Sequence, residues 1–415
     1  MNIFNTLTQQ KEPLVPQGDL VRMYVCGVTP YDTTHLGHAF TFITYDVLAR
    51  YLEFRGYRVR YVQNVTDIDD DILRKAREVG MDWKELGDRE TARYLADMKA
   101  LNMRPFDVYA HATEEIPAMI MLIEGLIAGG FAYVSNGNVY FSVARDPYFG
   151  ALARAVGIDS YEAMLATANE RGNYPDDPHK QDPLDFVLWQ AQKPGEPAWP
   201  SPWGPGRPGW HIECSAMSMR YLGTQIDLHG GGYDLIFPHH TCEIAQVENV
   251  THQAPFVRIW MHVAMVYLNG EKMSKSLGNL IRVGDLLRDY SSDAVRLMLL
   301  QNHYRQPWHY NASLPEMAER LAVKLREAAG VSQPALDHRE GGRKTPTRVV
   351  AMAEEAFIAA MEDDLNTPQA VHVLEGLAEH ILEERRQGRH DLAARATLRR
   401  LSGVLGLTLG ETKGE

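Results

Sequence analysis

The spacing of hydrophobic and polar positions changes several times along the chain. "VRMYVCGV" (21–28) is a continuous β-prone run, "HAFTFITYDVLARYLEFRG" (38–56) carries apolar residues at helical spacing, and "YRVRYVQNVT" (57–66) returns to strand character. Gly56 stands where a helix cap is expected. Strand, helix and strand in so short a span predict a βαβ unit, and so a parallel sheet with a right-handed crossover. Acidic "DIDDD" (67–71) and helical stretches lead to about Gly130, and "FAYVSNGNVYFSV" (131–143) reads as a hairpin turning at "SNGN".

From about Asp146 the pattern dissolves. "RGNYPDDPHKQDP" (171–183) and "KPGEPAWPSPWGPGRPG" (193–209) are crowded with Pro and Gly, as in an insertion with long ordered loops. Strand and helix character returns near Trp210 and lasts to about Leu300; beyond it the amphipathic runs 314–330, 348–364 and 367–387 are helical, with a polar linker at 332–346. The expected architecture is α/β: residues 1–145 and 207–305 form two halves of a Rossmann-type catalytic domain, 146–206 a loop-rich insertion, and 306–415 an all-α helical bundle.

Composition narrows the class of protein. The 415 residues are 45% hydrophobic and 23% charged, as in ordinary globular chains. No run has the roughly 20 apolar residues of a membrane helix, and "MNIFNTLTQQKEP" lacks a signal-peptide core. A cytoplasmic protein without membrane contact, and a monomer, is expected. Three cysteines argue against a disulfide scaffold. A net charge of −12 means that any nucleic acid must be met by a local basic patch.

Three constellations could carry chemistry. In "THLGH" (34–38), at the first strand–helix junction, His35 and His38 flank Gly37 where a helix N-terminus offers N–H groups to anions; two surface histidines of a first turn is the plainer reading. "GEKMSKSLGN" (270–279) places Lys272, Ser274 and Lys275 in a Gly-bounded loop that could fold over phosphates, or be a solvated loop. Cys26, Cys214 in "GWHIECSAM" and His239 with Glu243 in "FPHHTCEIAQ" could hold a metal or be core residues. Glu243 follows His239 by one helical turn, which puts both on one face. A dehydrogenase is discarded, because the first turn lacks G-x-G-x-x-G.

"HLGH" with "KMSKS" far downstream resembles the paired signature of class I aminoacyl-tRNA synthetases. The resemblance implies a Rossmann-type fold that activates a carboxylate with ATP, His35, His38, Lys272 and Lys275 stabilising the transition state. "YVCG", "GRPGWHIECSAM", "HGGGYDLIFPHH" and "KMSKSLGN" are similar to cysteinyl-tRNA synthetases over most of residues 20–310. By that resemblance Cys26, Cys214, His239 and Glu243 bind one Zn²⁺ that takes the thiolate of L-cysteine, and Mg²⁺ accompanies ATP. Thr66 and Trp210 would line the side-chain pocket, Asp234 would meet the ammonium group, and His229 with Gly230, Gly231 and Gly232 would lie under the adenosine. A soft sulfur–zinc bond would reject serine by bonding chemistry where an apolar pocket discriminates poorly.

The sequence departs from that family at two places. It reads His-His-Thr-Cys-Glu where the synthetases read His-His-Glu-Asn-Glu, which adds Cys242, a thiol that could compete as a ligand but is expected to be inert or a core residue. It also ends at "LSGVLGLTLGETKGE" (401–415), about where the family's small anticodon-reading domain begins, which implies a short form. The mycothiol cysteine ligase is similarly short and resembles this chain at "GVTPYD" and "PAWPSPWGPGRPGW", so the amine of glucosaminyl-inositol is an alternative acceptor to tRNA. A non-catalytic binding paralogue is a second alternative, disfavoured because both signature histidines and both lysines are present.

Overall fold

The computed structural model describes residues 1–16, 18–32, 34–268, 270–272, 280–330 and 347–410. Strand β1 (Asn2–Asn5) precedes the first strand of the predicted βαβ unit, β2 (Leu20–Val28). Helix α1 (Leu36–Phe54) and strand β3 (Arg58–Val65) complete the unit, with Gly56 left-handed at φ 91° just beyond the helix. After helix α2 (Asp70–Val79) comes β4 (Val108–His111).

The hairpin forms where "SNGN" predicts it: Ser135 pairs with Asn138, and Asn136 and Gly137 take φ of 49° and 80°, the conformation a tight two-residue turn requires. It does not stand alone. Strand Asn138–Phe141 pairs with Phe186–Ala191, which pairs with Gly206–Pro208, giving a four-stranded antiparallel layer. The span expected to be loop-rich also holds a helix at Tyr161–Glu170, capped by Ser160 accepting from Ala163 N–H. Cap and helical spacing lie there between Pro-rich runs, which mask them in a reading by composition.

Helix α3 (Trp210–Leu222) leads into β5 (Ile226–Gly232), and α4 (Thr241–Thr251) into β6 (Val257–Val263). The main sheet runs β6–β5–β2–β3–β4 and every pairing is parallel. Beside each other at its centre, β5 and β2 come from opposite halves of the chain and connect in opposite directions along the sheet. That switch point opens a crevice beyond their carboxyl ends, where ligands of such sheets bind.

Strand Trp308–Tyr310 pairs with Val266–Leu268, which carries the catalytic half to Tyr310. The helices that follow, Ser313–Ala329, Arg348–Glu362, Thr367–Arg386 and Leu392–Val404, share one hydrophobic core with α1 and the adjoining face of the sheet. No helix among the described residues is long and apolar enough to cross a membrane.

Candidate active site

Gly27, at the end of β2, sets the geometry of the crevice floor. A β-carbon there would lie 1.7 Å from the Asn64 carbonyl oxygen, and Gly27 N–H donates to Asn64 Oδ1 at 2.8 Å. Only glycine lets β2 and β3 come this close beside Cys26. A crevice of about 760 Å³ opens above, lined by Cys26, Gly27, His35, His38, Gly232 and Asp234 among others.

His35 caps α1, its Nδ1 accepting from His38 N–H at 3.3 Å, and the two rings stack with centroids 3.6 Å apart. Gly37 faces the His35 ring, which a β-carbon would meet at 3.1 Å. Leu36 N–H donates to Ile281 O, Val283 N–H to Thr34 O, and Arg282 pairs with Asp32 at 2.8 Å. Lys272 pairs with Tyr267 across a short strand, beside Met265 and Val266 of the crevice wall. Both described ends of the lysine loop are thereby fastened at the crevice. Ser274 and Lys275 lie outside the described residues.

Cys26, Cys214, His239 and Glu243 meet as a buried group, their ligand atoms all within 4.8 Å of one another. β2 supplies the first, α3 the second, the turn entering α4 His239, and the first turn of α4 Glu243. The sulfurs of Cys26 and Cys214 are 3.5 Å apart, and Cys26 Sγ is 3.7 Å from Glu243 Oε1. Ligands about 2.3 Å from a tetrahedral zinc are separated by roughly 3.7 Å, so the donor set fits that ion. His239 Nε2 is 3.2 Å from Glu243 Oε1, yet neither His239 Nε2 nor Glu243 Oε2 has an aligned hydrogen-bond partner. Buried polar atoms left this way mark a position for a cation. His211 Nδ1, 2.9 Å from His239 Nδ1, holds that ring with Nε2 toward the group.

Burial raises the Cys26 and Cys214 thiols and the Glu243 carboxyl and lowers His239, in each case toward the neutral form. A bound cation would reverse this by favouring thiolates and carboxylate, with release of protons. A second group, Cys26, His229, His240 and Glu243, is equally compact, and the ligand set implied by the resemblance does not include His240. The adjacent pair in "FPHH" was the available signal.

The other predicted residues separate into two sets. Trp210 stacks on His239 with centroids 4.2 Å apart, and Thr66 hydroxyl donates to Glu213 Oε2 at 2.9 Å. Neither is among the residues that line the crevice. His229 is fully buried, packed on Trp260 with its Nε2 3.5 Å from Cys26 Sγ, so its side chain faces the second of the two metal groups. Gly230 and Gly231 face inward as well: a β-carbon on Gly230 would meet the Tyr45 ring at 2.3 Å, and one on Gly231 the Leu235 side chain at 2.7 Å. Gly232 alone of the three lines the crevice. Cys242 is buried in the apolar core around α3 and α4 and lies in neither metal group.

Comparison with known proteins first gives the class. Methionyl-tRNA synthetase from Mycobacterium tuberculosis, in complex with methionyl-adenylate, matches 93% of this chain and 89% of its own at TM-score 0.66 and 16% identity. A leucyl synthetase complex from Agrobacterium radiobacter matches 96% and 86% at TM-score 0.63 and 13% identity. At such identities these likenesses show the fold. The family described as "tRNA synthetases class I (C) catalytic domain" matches residues 13–320, and the DALR domain matches 356–410. Cysteine–tRNA ligases from Dehalococcoides mccartyi and Escherichia coli O17:K52:H18 are 44% and 46% identical, covering 99% and 98% of this chain and 86% and 85% of their own lengths. The chain belongs to the cysteine family of class I tRNA synthetases.

Proposed function

We propose that the protein activates L-cysteine with ATP to enzyme-bound cysteinyl-AMP, releasing pyrophosphate, and transfers the cysteinyl group to a terminal ribose hydroxyl of tRNA. The carrying observation is the buried Cys26–Cys214–His239–Glu243 group at a crevice that His35 and His38 also line, in a chain of this family. The relatives at 44–46% identity are cysteine–tRNA ligases, which favours tRNA over the sugar-amine acceptor and over a non-catalytic role.

The residues have distinct tasks in this reading. Asp234 holds the substrate ammonium, and Trp210 and Thr66 shape the side-chain pocket. His35 and His38, at the N-terminus of α1, stabilise charge developing on the phosphates, and Lys272 and Lys275 with Ser274 meet the leaving pyrophosphate, which Mg²⁺ accompanies. Gly37 admits the nucleotide close to the backbone. His229 and Gly230 to Gly232 carry the adenosine through the strand backbone, because the His229 side chain faces the interior. When bound by Cys26, Cys214, His239 and Glu243, zinc supplies a soft partner for a thiolate that serine cannot match. Attack of the carboxylate on the α-phosphate needs positioning and charge stabilisation, with no covalent enzyme intermediate. The protein would work in the cytoplasm, as a monomer.

The test offers purified protein ATP, Mg²⁺ and labelled cysteine, with tRNA for cysteine or glucosaminyl-inositol as acceptor, and follows pyrophosphate exchange. Cysteine-dependent exchange with label on tRNA is the expected result. Label on the sugar amine alone would overturn the acceptor, and absence of exchange would overturn the activation step.

A further inference from the structure

Behind Cys26 runs a chain of hydrogen-bonding atoms that the proposed reaction does not use. His240 Nε2 stands 3.3 Å from Cys26 Sγ, His240 Nδ1 is 2.7 Å from His262 Nε2, and His262 Nδ1 is 2.8 Å from Thr6 Oγ1. Every link is buried. Thr6 N–H donates to Trp260 O at 2.8 Å, while Asn5 Oδ1 accepts from Trp260 N–H at 3.2 Å and Asn5 Nδ2 donates to Arg258 O at 3.0 Å. The segment before Thr6 is therefore bound along β6.

Its other edge is bound to the helical bundle. Phe4 N–H donates to Asp364 Oδ1 at 2.8 Å, and Asp364 N–H donates to Asn2 O at 3.0 Å. Asp364 is fully buried and also accepts from Arg305 Nε at 2.6 Å and from the Tyr304 hydroxyl. Asp364 and Leu365 have φ of 61° and 52°, two consecutive left-handed residues that carry side chains. Such backbone persists only where its surroundings over-determine it. One five-residue strap thus joins a strained turn of the bundle to the support of the metal group.

The histidine pair has a direction. A neutral imidazole has one N–H and one lone pair, so each ring passes on the polarity it receives. If the Thr6 hydroxyl donates to His262 Nδ1, His262 Nε2–H donates to His240 Nδ1, and His240 Nε2–H faces Cys26 Sγ. The reverse order turns a lone pair toward the sulfur. A Cys26 thiolate selects the first order, with Thr6 as its terminal donor.

We propose that Thr6 is a positioning residue for the metal group, and that the strap Asn2–Thr6 transmits the seat of the helical bundle to it; this rests on the reading of Cys26 as a thiolate ligand. The test uses Co²⁺ as the probe in the full-length protein, reading its affinity against a chelator and its thiolate charge-transfer band. Thr6→Val is expected to weaken cobalt about 10- to 100-fold and shift the band, whereas Thr6→Ser stays within about threefold of wild type. Where cysteine-dependent exchange is measured, KM for cysteine rises more than kcat falls. Asp364→Asn, at the far end, weakens cobalt in the same direction, and the double variant with Thr6→Val falls short of additivity. Unchanged cobalt affinity in Thr6→Val, or equal loss in Thr6→Ser, overturns the positioning role, and an additive double variant overturns the strap. Far-UV dichroism separates misfolding from these outcomes, and Asp364→Asn tests the strap independently of packing at Thr6. If relay variants weaken cobalt but wild type shows no exchange with cysteine, the proposed function fails while the strap stands.

Discussion

A β-carbon on Gly27 would lie 1.7 Å from the Asn64 carbonyl oxygen, so Gly27→Ala must part β2 from β3 beside Cys26. A loss of about 3 kcal/mol or more is expected in urea unfolding, with weaker metal retention. Asp69, the N-cap of α2, offers a test with a defined pH window. Its side chain accepts from Asp71 N–H at 2.7 Å, while burial pushes its carboxyl up to about 6 from an ordinary 3.8. A raised folded pKa contributes stability that is complete below the unfolded value and lost as pH rises through the folded one. Asp69→Asn keeps an acceptor at the cap and does not ionise. Relative to this variant, wild type should lose on the order of 1–3 kcal/mol between pH 4 and 6 in denaturant titrations. The sequence displays both residues but not their environments: the Gly27 clash involves a residue 37 positions away.

Helix α1 links two features that read as unrelated in sequence, the "HLGH" turn and "HGGG". From the middle of α1, the Tyr45 hydroxyl accepts from Gly231 N–H at 2.8 Å and donates to Met261 O at 2.7 Å, and its ring fills the space that a Gly230 side chain would need. Tyr45→Phe leaves a buried N–H and a buried carbonyl without partners and should cost about 1–3 kcal/mol in chemical denaturation. Gly230→Ala should be destabilising in wild type and milder in a Tyr45→Ala background, where the clashing ring is gone. The boundaries of α1, β2 and β3 were legible because period and cap are local. The antiparallel layer was not, since its strands Asn138–Phe141 and Phe186–Ala191 pair across a long intervening segment.

A buried charge pair joins the two halves of the catalytic domain, and its arginine also reaches the bundle at Leu405. Arg296 and Asp46 are each fully buried with Nη2 2.6 Å from Oδ2, and Arg296 also donates to the carbonyls of Leu101 and Leu405. Arg296→Met leaves the Asp46 charge with the partly exposed Arg50 and the Arg104 N–H as partners and should cost about 3–5 kcal/mol. Adding Asp46→Leu should recover part of that loss, which paired unfolding titrations would show. With β1 bound to Asp364 as well, the catalytic domain and the bundle are expected to unfold in a single transition.

By itself the sequence determined the βαβ unit, the hairpin, the helical bundle and the list of chemically able residues, because helical period, turn residues and motif spacing are properties of neighbours in the chain. Its paired signatures also pointed to the family. Only the tertiary structure decided which side chains share a site. It brought Cys26, Cys214, His239 and Glu243 together from separate elements, turned His229 inward, left Cys242 in the core, and ran Thr6 up behind Cys26. The reason is physical: a parallel sheet juxtaposes strands distant in sequence, and close packing there fixes the direction of each side chain.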